Sequence, residues 1–193
     1  MVERILKLIK HFKNKVFYNI NTDSNSYVFG KVFMSKKSIL TVGKNCRINS
    51  IEIIGEGTVV IGNNVEIRDV FINLGKQSKL TIGNNVFIGK HSKFIIYGEC
   101  SIGDDILIAP DVLIVDNDHI ISSKVKVKDS GLNIQNILIS NNVWIGAKSV
   151  ITKGVVIEEN CVIGSLSVVN KNCEKNFIYA GVPSKKLKSI ENE

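Results

Sequence analysis

Residues 137–169 read ILISNNVWIGAKSVITKGVVIEENCVIGSLSVV, and isoleucine recurs in them every six residues, at Ile139, Ile145, Ile151, Ile157 and Ile163. The register extends beyond this stretch. Ile102, Ile108 and Ile114 keep it, as do Ile82, Ile88 and Phe94, and Ile61 with Ile67. A glycine follows many of the aliphatics, at Gly43, Gly62, Gly83, Gly103, Gly146 and Gly164. Four positions after the aliphatic stands a small or branched side chain, such as Cys46, Val65, Val86, Ile106, Ser149 or Cys161. Between them lie Lys44-Asn45, Asn63-Asn64, Asn84-Asn85, Asp104-Asp105 and Glu159-Asn160. A helix repeats every 3.6 residues and a plain strand every two. A period of six fits a short strand followed by a turn, and Asn, Asp and Gly tolerate the left-handed conformation such a turn needs.

A longer repeat agrees. Ile-Gly-Asn-Asn-Val begins at 61 and at 82, and Ile-Gly-Asp-Asp-Ile at 102. Each step is about three hexads, so one turn of the chain has three flat faces. The pattern predicts an all-β fold, a triangular parallel β-helix whose rungs hydrogen-bond to one another and whose stacked aliphatics fill the prism. An aromatic content of 7% suits a narrow interior better filled by Ile and Val than by rings.

The 193 residues, 44% hydrophobic, suit one domain with a continuous core. No uncharged apolar run is long enough to cross a bilayer. The first residues, MVERILKLIKHFK, carry charges every two to four positions, unlike a signal peptide, and a cytoplasmic protein is expected. The net charge is +7, with basic residues gathered at both ends. No nucleic-acid-binding motif accompanies them, so nucleic acid is not an expected partner. Cys46, Cys100, Cys161 and Cys173 have no C-x-x-C spacing and read as free thiols.

The chain divides into three parts. Residues 1–38 are expected to hold a basic amphipathic helix over 1–19, with Ile5, Leu8, Ile9, Phe12 and Val16 on one stripe, and an irregular connection. The helix is expected to cap the open prism; the alternative is contact with an anionic membrane surface, at the inner face. Residues 39–169 form the β-helix, and 170–193 a turn and a basic tail. The period breaks over 116–136, a polar excursion containing Asp116, Asp118 and His119. A long excursion in a compact repeat is usually functional.

The hexads, together with Val143-Trp144-Ile145-Gly146 and Ala180-Gly181-Val182-Pro183, resemble the hexapeptide-repeat acyltransferases, in particular the sugar and polysaccharide O-acetyltransferases. The resemblance covers roughly residues 39–188. It implies a left-handed coil, which periodicity does not show, and a homotrimer with active sites between subunits. It implies acetyl-CoA as co-substrate and transfer to a sugar hydroxyl of a surface polysaccharide or its precursor. These enzymes keep an active-site histidine on a loop ahead of a Trp-Ile-Gly rung, which maps onto His119 as general base, a role typically worth about a hundred- to ten-thousand-fold. Asp116 or Asp118 would hold the other ring nitrogen. The resemblance gives the Ala147 N–H the developing oxyanion, and makes Trp144 a wall against pantetheine or acceptor. It carries cofactor contacts onto Ala147, Ser165, Asn170 and Lys171, with Asn170 standing where threonine is usual. Lys185 and Lys188 would meet the phosphates, as point charges where arginine is common. His91 is either an acceptor contact or a structural corner residue.

Three other readings are open at this stage. One is an N-acyltransferase acting on an amino-sugar nucleotide. Another is a non-catalytic scaffold. The third is a metal-dependent hydratase like the gamma-class carbonic anhydrases, whose zinc needs three histidines from neighbouring rungs. The prism region contains only His91 and His119, so no metal is expected.

Overall fold

The computed structural model describes residues 20–22 and 25–190; the helix expected over 1–19 lies outside them. The chain is a left-handed parallel β-helix of about eight turns. Its strands stack on three faces. Face I carries Ile20–Thr22, Ile39–Val42, Glu99–Ile102, Ile137–Ile139 and Val156–Ile157; face II runs from Tyr27–Val28 through Leu107–Ile108, Trp144–Ile145 and Val162–Ile163 to Phe177–Ala180; face III carries Val32–Met34, Lys93–Ile96, Leu113–Val115, Val150–Ile151 and Val168–Val169. Two long strands, Ile51–Ile61 and Val70–Ile82, pass from face III to face I without a break, which joins these faces into one twelve-stranded sheet.

The five isoleucines of the deciding stretch fall on faces I, II, III, I and II in turn, and each is fully buried. Burying such a side chain contributes about 1.5–3 kcal/mol, so each rung is held mainly by its inward aliphatics. The edge between faces I and II explains the Asn pairs. Asn45, Asn64, Asn85, Asn142 and Asn160 all adopt positive φ there. Their side chains form a ladder: Asn45 donates to Asn64 at 3.2 Å, Asn64 to Asn85 at 3.0 Å, and Asn85 to Asp105 at 3.0 Å. The preceding glycine is required by close approach, since a Cβ at Gly62 would lie 2.6 Å from the Gly83 carbonyl oxygen of the next rung.

The structure corrects two boundaries. The coil begins by Ile20, before residue 39: Ile20–Thr22 pairs with Leu40–Val42, and Val32–Met34 with Ile51–Ile53. The repeat also outlasts residue 169, because Phe177–Ala180 adds a rung beside Val162–Ile163 and Lys185–Ser189 folds back against it. In both places the aliphatic register fails, with Thr22 opposite Val42 at one end and Tyr179 opposite Ile163 at the other. The excursion is a hairpin, Asn117–His119 antiparallel to Leu132–Ile134, standing on the edge between faces III and I. Among the described residues no helix is long and apolar enough to cross a membrane.

Candidate active site

The excursion is rooted by Asp116. Its side chain is fully buried, and its carboxylate accepts the backbone N–H of Tyr97 at 2.9 Å, that of Gly98 at 2.7 Å, and the Asn117 amide at 2.9 Å. Tyr97 and Gly98 form the same edge one coil earlier, so Asp116 fastens the departing chain to the preceding rung. Burial and the adjacent Asp116 charge push the Cys100 thiol well above its usual range. Asp116 therefore does not hold the imidazole of His119, because its oxygens are already engaged at the root.

Beyond the root the surroundings reverse. Asp118 is exposed and reaches Lys153 of the coil below at 3.4 Å. His119, opposite Leu132 in the hairpin, is exposed, and its imidazole makes no hydrogen bond or ion pair with any described residue. An open cavity of about 620 Å³ lies against the arm, lined by Asp118, His119, Ile120, Ile121, Leu132, Asn133 and Ile134. An unpartnered imidazole facing open space can accept a proton from a hydroxyl brought to it.

The edge between faces II and III carries two of the cofactor candidates, Ala147 and Ser165. Gly146-Ala147, Gly164-Ser165 and Ala180-Gly181 follow one another down it in successive coils. The rungs touch closely, since a Cβ at Gly146 would stand 2.5 Å from the Ser165 nitrogen. The Ala147 carbonyl accepts from Leu166 N–H at 2.9 Å, and Gly181 N–H donates to Ser167 Oγ at 3.1 Å. The amide N–H groups of Ala147 and Ser165 donate to no acceptor among the described residues. They are free donors, one rung apart, on a groove edge. Strands in a sheet lie about 4.8 Å apart, so the pair suits a thin ligand carrying carbonyl oxygens along the prism axis.

The remaining candidates are dispersed. Trp144 stands outward on face II, half exposed, between Leu107 and Val162 in the stack. Lys185 and Lys188 are exposed on the returning strand beside Phe177–Ala180. Asn170 and Lys171 are exposed on the edge between faces III and I, on the same side as the excursion rather than beside Ala147. His91 lies on the edge with Ala147, two coils before it, between Asp69 at 3.8 Å and Asp111 at 3.5 Å. The structure thus groups Ala147, Ser165 and the Ala-Gly-Val-Pro turn, and sets His119 on a different edge, across face III. The hexad count held this information, since the break follows the face III residue Ile114 whereas Ala147 follows the face II residue Ile145. Sequence reasoning missed Lys153, which no motif marks.

The family model for bacterial transferase hexapeptide (six repeats) matches residues 136–171. The galactoside O-acetyltransferase of Escherichia coli (strain K12) is 33% identical over 141 residues, 72% of this chain and 68% of that protein. Among solved structures, the polysialic acid O-acetyltransferase OatWY superposes with a TM-score of 0.70 at 25% identity, covering 90% of this chain and 89% of that one. AntD, an N-acyltransferase from Bacillus cereus solved with dTDP and coenzyme A, has the same fold, with a TM-score of 0.64 at 24% identity over 94% and 89% of the two chains.

Proposed function

The chain belongs to the bacterial hexapeptide-repeat transferases and is an acyltransferase, and we propose that it moves an acetyl group from acetyl-CoA to a sugar hydroxyl of a surface polysaccharide or its precursor. The kinship with a galactoside O-acetyltransferase and the likeness to a polysialic acid O-acetyltransferase support the acceptor class. The observation that carries the reading is the pairing of an unpartnered histidine on the one large excursion with free amide donors along a groove edge.

The chemistry follows from those groups. Pantetheine lies along the edge between faces II and III, where Ser165 N–H and its neighbours meet its carbonyl oxygens. The acceptor hydroxyl attacks the thioester carbonyl while His119 takes its proton. Charge develops on the carbonyl oxygen, and Ala147 N–H donates to it; a positioned donor of this kind is typically worth about 3–4 kcal/mol. The carbon–sulfur bond then breaks, and the imidazolium returns its proton to the leaving thiolate, giving acetyl ester and coenzyme A. Lys185 and Lys188 meet the phosphates of coenzyme A.

In one prism face III separates His119 from Ala147. A second copy presenting its excursion to this groove edge unites them, which favours a trimer with sites between subunits. Titration of the protein with acetyl-CoA, followed by a screen of sugar acceptors with His119→Ala as control, tests the reading. One saturable site per chain and His119-dependent ester formation are expected. Absence of acetyl-CoA binding would sink the assignment, and amide formation on an amino-sugar nucleotide would replace it with N-acylation.

A further inference from the structure

We infer that the excursion selects its acceptor by charge, its tip forming a basic clamp for a sugar that bears carboxylate or phosphate groups. The inference rests on the reading of His119 just given and adds the substrate class.

The tip is closed at its base by the Ile120 N–H donating to the Gly131 carbonyl at 3.2 Å, immediately after His119. Within it stand Lys124, Lys126 and Lys128, against the single acid Asp129. All three lysines are exposed, and none forms an ion pair among the described residues, unlike Lys153, Lys37 and Lys186, which each face a carboxylate. Five residues of chain span at most about 17 Å, so neighbouring ammonium groups lie within roughly one Debye length at physiological salt and their potentials add. The charge is not needed to build the fold, because the root is held by Asp116 and the arm by hairpin pairing. The lysines follow in sequence from Ile121, which lines the open cavity beside His119. Val125 and Val127, both about half exposed, alternate with the lysines. Apolar surface between cations suits the C–H faces of a sugar ring better than a bare ion. A bilayer could engage the same side chains but would leave the cavity unused, so the anionic sugar is the better match.

Exposed charge pairs are individually weak, so three lysines set a discrimination of up to roughly a hundredfold. The test is equilibrium binding to the full chain of a galacturonic acid tetramer, a neutral galactose tetramer, thymidine diphosphate glucose, and vesicles of phosphatidylglycerol. We expect one or both acidic sugars to bind at least fivefold more tightly than the neutral tetramer, with the advantage shrinking severalfold from 50 to 500 mM salt. The variant carrying Lys124→Gln, Lys126→Gln and Lys128→Gln should lose that advantage while binding acetyl-CoA as the wild type does. His119→Ala should keep it. Equal binding of acidic and neutral sugars, no binding of either acidic sugar, or an advantage that survives in the triple variant overturns the inference. So does lysine-dependent capture of vesicles without acidic-sugar binding, which assigns the tip to a lipid surface. Acidic-sugar binding without acetyl-CoA binding upholds the clamp and removes the transferase reading instead.

Discussion

The root and the arm of the excursion are three residues apart and are built on opposite terms. At the root, Asp116 is fully buried and its oxygens are occupied by the N–H groups of Tyr97 and Gly98 and the amide of Asn117. On the arm, His119 is exposed, and its imidazole has no hydrogen bond or ion pair to a described residue. A charge with every partner in place fixes the backbone, whereas a titratable group without partners is available to a substrate. On the proposed reading the same loop carries one group for architecture and another for chemistry.

The largest effect should come from the arm. His119→Ala is expected to lower kcat by about a hundred- to ten-thousand-fold. Its melting temperature should move by less than about 2 °C, because a surface side chain without partners contributes within about 0.5 kcal/mol. Steady-state kinetics and thermal unfolding of the same sample make the test. A variant that melts early and turns over at near wild-type rate would invert the assignment of root and arm.

The root should behave in reverse. Asp116→Ala leaves the partly buried Tyr97 and Gly98 N–H groups without an acceptor, at about 1–2 kcal/mol each, the lower part of the range for an unsatisfied buried group. A fall in unfolding free energy of about 2–4 kcal/mol is expected in chemical denaturation. Asp116→Asn retains one acceptor oxygen and should recover part of it. A rise in KM larger than the fall in kcat would point away from misplacement of His119.

These two residues also show what can be read from the sequence. The face of each isoleucine between Ile139 and Ile163 follows from counting by six, and the structure stacks them on faces I, II, III, I and II in that order. His119 was legible because the count breaks around it. The task of Asp116 was not, because its partners are backbone groups 18 and 19 residues earlier that no side-chain pattern marks. The rungs at Ile20–Met34 and Phe177–Ala180 escaped for a related reason. Backbone pairing continues them, while Thr22 and Tyr179 stand where the register calls for an aliphatic. The separation of His119 from Ala147 was implicit in the count of faces, but it acquires meaning only when the edges are seen as places where a second copy can dock.

A smaller effect belongs to the coils below the root. Burial, with the neighbouring Cys161 adding to it, pushes the Cys173 thiol from 9.0 up to about 12. The folded state thus holds a proton that the unfolded chain releases first. The stabilisation is complete below about pH 9 and is lost as pH rises toward 12, at up to about 1.4 kcal/mol per pH unit. Urea unfolding at pH 8, 9, 10 and 11 should show the decline, and Cys173→Ala should show a shallower one. An identical slope in the variant would place the alkaline sensitivity elsewhere.

The smallest effect sharpens the comparison most, because it concerns what ties the arm to the prism. Asp118 and Lys153 meet at 3.4 Å, with the Asp118 side chain 61% exposed and that of Lys153 20%. A pair so open to water contributes about 0–1 kcal/mol and weakens with salt. Lys153→Ala should therefore lower kcat/KM by no more than about threefold at low ionic strength, and 0.5 M salt should bring the wild type close to the variant for a neutral acceptor. If the arm takes its position from Asp116 and the hairpin ladder, Lys153 only trims its motion and the two losses stay small and equal. A loss above tenfold that salt does not reproduce would mean that Lys153 acts at the site directly. The division between a root that builds and an arm that reacts would then have to include the coil beneath them.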